Sequence, residues 1–199
     1  MRAYKGFNKN LTSIMGDGNK KNCVFVPGET KEVDKSKTAR SGFHCCENPF
    51  ECLRYYSLDG ENRFFIVEAA GDIDEDDLGR IACTRITLVE EMTPLRFTME
   101  GMKYIIEHPK RDRWEYSQFG GKVAIGKAEA VYEGHIAIAR GEHPMVRGKA
   151  GSILGLLLER DGKIVSCKLF VAGKEQAGKW YTVDEERKLL EVPDEKESN

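Results

Sequence analysis

The chain has 199 residues, 40% of them hydrophobic, enough to bury one ordinary core or two small ones. Its 31 basic and 33 acidic side chains nearly cancel, and a net charge of −2 argues against bulk attraction to nucleic acid or to an anionic membrane. The opening MRAYKGFNKN lacks a signal-peptide apolar region, and no run of roughly 18 apolar residues occurs, so the expectation is a cytoplasmic chain with no membrane span.

The elements follow in chain order. RAYKGF, 2–7, predicts a short strand, and CVFVPGETKEV, 23–33, predicts two extended pieces around a Pro-Gly turn. SGFHCC is extended and NPFECLRYY helical, with Asn48 as N-cap, Pro49 at the first helical position, Glu51 two residues later, and Phe50, Leu53 and Tyr56 on one face. RFFIVEAAGDI, 63–73, predicts a strand with a buried middle. GRIACTRITLVEEM, 79–92, alternates through Ile81, Cys83, Ile86 and Leu88, with an irregularity where the phase changes. Thr93-Pro94 opens a second helix, with Leu95, Met99, Met102 and Ile106 as its apolar stripe.

A charged, irregular stretch, 109–118, predicts a linker. Beyond it, glycines fall at 134, 141, 148 and 155 with small and β-branched residues between them. A helix with that spacing would be weak, whereas short rungs turned by glycines of positive φ fit it. The reading is a solenoid-like stack, and the alternative is an antiparallel meander. Hairpins across Asp161-Gly162 and within KWYTVDEERKLLEV follow, then an acidic tail. The predicted fold class is α+β. An α/β domain with a mixed sheet and two helices spans 1–108, then come the linker, an all-β glycine-repeat part at 119–192, and a disordered tail at 193–199.

Three sites suggest themselves. His44 and Cys46 point to one face of an extended stretch, so that with Cys23 an imidazole and two thiolates could share a zinc ion; Cys52 is a further ligand, and Cys45 faces away. The competing reading, which the balance favours, is that the cysteines are small buried apolar residues and no cofactor is expected. The same thiols, near the helix that begins at Pro49, also bear on a thiol nucleophile. In GDIDEDDLG the carboxylates Asp72, Asp74, Asp76 and Asp77 lack the glycine and glutamate a calcium loop requires, and their functional use would be to meet a basic partner surface.

AYKGFNKNL, VPGETKEV and SGFHCCENPFECLRYY together resemble a family of small phage and prophage proteins of unassigned function. Its G-F-H-x-C-x-N-P-x-x-x-L-x-Y-Y stretch is matched by Gly42, Phe43, His44, Cys46, Asn48, Pro49, Leu53, Tyr55 and Tyr56. Cys23 lies near a frequent family cysteine, while the one expected three residues before Gly-Phe-His is Ala39 here. The resemblance implies phage origin and a two-part architecture. It leads to the expectation of an accessory protein that binds a host protein or protein–nucleic-acid complex without turnover, such as an anti-CRISPR-like antagonist of a defence nuclease. Open strand edges in the glycine region add the expectation of a homodimer. AYKGF also loosely resembles the opening strand of ADP-ribosyltransferases. Lys5 stands where that family has arginine, GFHCC stands for its Ser-Thr-Ser strand, and Glu68 or Glu90 would have to be the acid. An enzyme of this kind, or a thiol-dependent one, is the alternative function.

Overall fold

The computed structural model describes residues 1–13, 23–58, 60–76, 79–109 and 116–193. Among the described residues the chain is mostly β-sheet with two helices, and it divides into two compact units, Met1–Gly101 and Met102–Asn199.

In the first unit β1 (Arg2–Asn8), β2 (Thr30–Glu32), β3 (Phe43–Cys46), β4 (Asn62–Glu75) and β5 (Arg80–Met92) form one antiparallel sheet. β1 pairs with β4, β4 with β5, β5 with β3, and β3 again with β1, so four strands curl into a nearly closed barrel and β2 lengthens the edge beside β5. The mixed sheet expected in this part is therefore absent from it among the described residues. Strands β4 and β5 are joined across residues 76–79, a connection short enough for antiparallel return, whereas parallel neighbours need long crossovers.

Inside the barrel, Phe7, Phe25, Phe43 and Phe65 meet edge to face at 5.0–5.8 Å, with Ile81, Ile86 and Leu88 around them. Each such side chain contributes roughly 1.5–3 kcal/mol by leaving water. The phase change anticipated in β5 is real. Opposite Thr84 the partner strand carries two residues, Gly71 and Asp72, one more than an even ladder has, and the Asp72 amide donates to Thr84 Oγ1 at 2.8 Å. Gly71 sits at φ +80°, and a β-carbon there would overlap that same hydroxyl.

The NPFECLRYY segment forms a 3-10 helix, Pro49–Arg54, rather than an α-helix. Asn48 caps it, its Oδ1 accepting from the Phe50 amide at 3.0 Å, and Phe50, Leu53 and Tyr56 are all buried. The α-helix α1 (Pro94–Glu107) starts where Thr93-Pro94 predicts, with the Arg96 amide donating to Thr93 Oγ1 at 3.2 Å. Its buried face differs from the expected stripe. Leu95, Met99 and Ile106 are exposed, while Phe97, Thr98, Glu100, Gly101, Tyr104 and Ile105 join Met102 inside. Hydrophobicity alone picks the wrong face because a glycine and a paired glutamate hold central places on the right one.

The second unit contains β6 (Tyr116–Gln118), β7 (Gly121–Ala130), β8 (Ile136–Gly148), β9 (Ile153–Arg160), β10 (Lys163–Val171), β11 (Trp180–Val183) and β12 (Leu189–Val192). Here the sheet is mixed: β7–β8 and β8–β9 are parallel, and the other pairings are antiparallel. The segment read as a linker thus includes strand β6; its residues 110–115, like the tail at 194–199, lie outside the described residues. Both expected hairpins are present. Asp161 and Gly162 adopt φ of 51° and 71°, the conformation a two-residue β-turn of matching twist requires, and Arg187 at φ 64° turns β11 into β12.

The glycines at 134, 141, 148 and 155 do two different jobs. Gly134 and Gly141 have φ of 73° and 122°, as a turn demands, but Gly148 and Gly155 do not have positive φ. A β-carbon at Gly148 would come within 2.8 Å of Ser152 Cβ, and one at Gly155 within 3.0 Å of Ile138 Cγ1. The expectation of a turn at Gly148 is thereby corrected: close packing selects glycine there.

Candidate functional site

Alternation along β1 decides which of its side chains enter the barrel. Ala3 and Phe7 belong to the core, and Lys5, between them, shares their face. Lys5 is only 7% exposed. Its Nζ lies 5.3 Å from the Phe7 ring centre and 6.0 Å from that of Phe25, and it donates to the His44 carbonyl oxygen at 2.6 Å. Burial pulls the Lys5 ammonium below the usual lysine range, and the nearby thiols of Cys45, Cys46, Cys52 and Cys83 oppose this only in part.

Tyr4 faces the other way. Its hydroxyl donates to Glu100 Oε2 at 2.8 Å, and burial followed by that contact pushes the phenol up to about 12. Glu100 is buried, and it also pairs with Arg2 at 3.0 Å and Arg96 at 2.8 Å. A carboxylate so deep is tolerated because its charge is matched. This network fastens the first turns of α1 to β1 and so fixes the strand that carries Lys5.

The strand β3 alternates as well. Phe43 and Cys45 enter the core, while Cys46 meets Cys52 of the 3-10 helix. His44 is half-buried, and burial followed by the neighbouring Lys5 charge holds its imidazole below the usual range, so it is neutral at pH 7. Its Nε2 is buried with no hydrogen-bond partner among the described residues. The Cys45 thiol is raised by its hydrogen bond to Cys83 and by burial, and Cys52 is raised by burial and its contact with Cys46. Both stay protonated, the reverse of what an activated nucleophile needs.

Lys5, His44, Cys45, Cys46 and Cys52 line an open pocket of about 1130 Å³ in the first unit. Beside Lys5, the lining holds four cationic side chains, Lys31, Lys35, Arg40 and Arg80, against the carboxylate of Glu32. The carboxylates at 72–76 hold the basic elements in place. Ser36 Oγ donates to the Asp72 carbonyl at 2.9 Å; Lys37 Nζ and the Thr38 amide donate to Asp74, each at 2.7 Å. That pins the loop carrying Lys35 and Arg40. The hydrogen bonds from Lys37 and Thr38 hold the Asp74 carboxyl far below the usual carboxylate range. Asp76 accepts from Arg80 Nε at 2.7 Å, which sets the guanidinium at the pocket.

The three residues expected to hold zinc, Cys23, His44 and Cys46, do line this one pocket. Among the described residues, however, no group of three or more His, Cys, Asp or Glu side chains is arranged to hold a metal ion. Asp72, Asp74 and Asp76 are engaged with Ser36, Lys37, Thr38 and Arg80, and Asp77 lies outside the described residues. Glu68 and Glu90 are exposed and lie outside the pocket lining. Sequence reasoning met Lys5 only as the counterpart of an arginine in the ADP-ribosyltransferase comparison and missed its burial. Its signal was present: in AYKGF, Ala3 and Phe7 mark the inward face of the strand, and the lysine falls on that face.

A family model described as a domain of unknown function, DUF7666, matches residues 1–100, which covers the barrel and the pocket. No curated protein and no solved structure matches the chain. Among the described residues no helix is long and apolar enough to cross a membrane.

Proposed function

The chain belongs to the DUF7666 family, and we propose that it is a phage-type accessory protein of the bacterial cytoplasm that binds a host macromolecule without turnover. The Lys5 pocket grips an anionic group on that macromolecule. The observation that carries this reading is the charge of the pocket lining: Lys31, Lys35 and Arg40, with Arg80 held beside them by Asp76, against Glu32, in a chain whose overall charge is −2. A local concentration of cations in an acidic-to-neutral protein focuses the field on one anionic ligand. Arg40 supplies a planar fork suited to phosphate. Antagonism of a host defence nuclease, in the manner of an anti-CRISPR protein, is the role in which a phosphate-bearing or nucleic-acid-associated partner fits.

Titration with pyrophosphate, ADP-ribose and a single-stranded oligonucleotide tests the reading. At least one is expected to bind with an affinity that falls as salt rises, and Arg40→Glu with Arg80→Glu is expected to abolish it. No binding by any of the three overturns the proposal. An ADP-ribosyltransferase-like enzyme is the second reading, favoured by Lys5 and the FHCC strand lining one pocket. The exposed positions of Glu68 and Glu90 weigh against it, and release of nicotinamide from NAD would support it.

For the second unit we propose a short solenoid-like stack. Connections as short as 131–135 and 149–152 can return the chain to a parallel neighbour only if the strands themselves turn corners. Gly126 and Gly141, with φ of 79° and 122°, lie where β7 and β8 shift register, which supports such corners. The outer strand β10 pairs with β9 on one side, and its other edge is the proposed homodimer contact.

A further inference from the structure

We propose that Lys5 is a reactive amine that condenses with an aldehyde or ketone carried by the anionic ligand and holds it as an imine. The inference rests on the anion-binding reading above and goes one step further, from attraction to covalent capture.

A lysine buried this deeply normally has a carboxylate beside it. Lys5 does not follow that pattern: its hydrogen-bond acceptor is the neutral carbonyl of His44, its nearest flat surfaces are Phe7 and Phe25, and the ionisable groups acting on it are thiols. The four cysteines around it are free. Such surroundings disfavour the ammonium and favour the free amine, the form with a lone pair to donate. Lys5 is nevertheless one of the residues that line the pocket. The same lining holds His44, with its buried and unpartnered Nε2, and it holds Arg40 and Arg80 to bind the charged part of a ligand.

The chemistry balances without an oxidant or cofactor. The Nζ lone pair attacks the carbonyl carbon and forms the C–N bond, while the carbonyl oxygen takes up a proton to give a carbinolamine. Loss of that hydroxyl as water, with departure of the remaining amine proton, leaves the C=N bond. The ligand class is an anionic carbonyl compound: a phosphorylated aldehyde, an α-keto acid, or the open-chain aldehyde of a sugar in a damaged phosphodiester strand. One group, a carbonyl close to a negative charge, is common to them all.

Pyridoxal 5′-phosphate, an aromatic aldehyde carrying phosphate, is the probe. The protein is treated with a substoichiometric amount, reduced with borohydride, digested, and the modified lysines mapped by mass spectrometry. The expected result is a reduced adduct concentrated at Lys5, formed at a lower pH than adducts on exposed lysines and suppressed by excess pyrophosphate. Lys5→Arg should remove that adduct. Adducts spread over surface lysines with Lys5 unmodified overturn the proposal, and because this is read on the unaltered chain it stands even if the variant fails to fold. Pyrophosphate binding without a Lys5 adduct sinks only the imine, whereas absence of pyrophosphate, ADP-ribose and oligonucleotide binding sinks the anion-binding reading beneath it.

Discussion

Gly101 lies in the interior of α1, where intrinsic propensity favours alanine over glycine by about 1 kcal/mol. On that basis alone Gly101→Ala should stabilise the protein. The packing predicts the opposite sign. A β-carbon at position 101 would overlap the edge of the Phe50 ring, and even Cε1, third among the nearest ring atoms, stands only 2.7 Å away. Carbon atoms pack best at roughly 3.5–4.0 Å, so the ring must retreat by more than 1 Å or the helix must lift. Phe50 has little room to retreat. It is 2% exposed, its ring meets Phe97 edge to face at 5.7 Å, and Phe97 in turn lies 4.6 Å from Phe64. Overpacking of this kind costs about 1–3 kcal/mol, and complete loss of a buried phenylalanine about 3–5 kcal/mol. After the propensity gain, Gly101→Ala should destabilise the first unit by about 1–3 kcal/mol. Urea unfolding followed by far-ultraviolet circular dichroism measures it. In a Phe50→Leu background the same substitution should lose most of its cost, because the interfering ring edge is gone. A Gly101→Ala protein more stable than its parent, or an unchanged penalty in the Phe50→Leu background, would refute the packing account.

Stability should also fall with acid through Asp74. Its folded pKa is depressed by Lys37 and Thr38, so its contribution is fully present above the ordinary carboxylate range and is lost as pH falls through that range toward its folded value. Asp74→Asn should flatten that part of the pH–stability curve, as read by melting temperature between neutral pH and mild acid, and an unchanged curve would remove the clasp on the basic loop. Gly141→Ala should destabilise the second unit by about 1–3 kcal/mol through its φ of 122°, although a β-carbon there would meet only Ile125 Cγ2 at 3.6 Å; equal melting of variant and parent would count against a strained corner. Light scattering should give a dimer for the parent chain and a monomer for Val165→Lys with Val171→Lys on β10, and identical masses would exclude that edge as the contact.

Local chemistry wrote much of this fold into the residues themselves. Asn48-Pro49 and Thr93-Pro94 mark their helix starts, because a side-chain oxygen can meet the first free amides and proline has no amide to leave unmet. Asp161-Gly162 marks its hairpin because few residue pairs tolerate two positive φ angles in succession. Alternation marked β1 and β5, and on β3 it separates Cys45, which enters the core, from His44 and Cys46.

Tertiary structure decided what depends on a partner distant in sequence. Gly101 reads as a weak point in a helix until the Phe50 ring is placed against it, and Gly148 reads as a turn until Ser152 and Leu154 close over it. Glu100 belongs on the buried face of α1 only because Tyr4, Arg2 and Arg96 converge on it. The pocket is the strongest case. Its cations come from β1, β2, the loop before β3, and β5, and they share one lining because the strands close on themselves and because Asp72, Asp74 and Asp76 hold the loop and Arg80 in place. A sequence carries the period of each strand, but the energy that selects one strand order over another lies in long-range burial, and only the assembled barrel turns a lysine on an apolar face into an amine at the wall of a pocket.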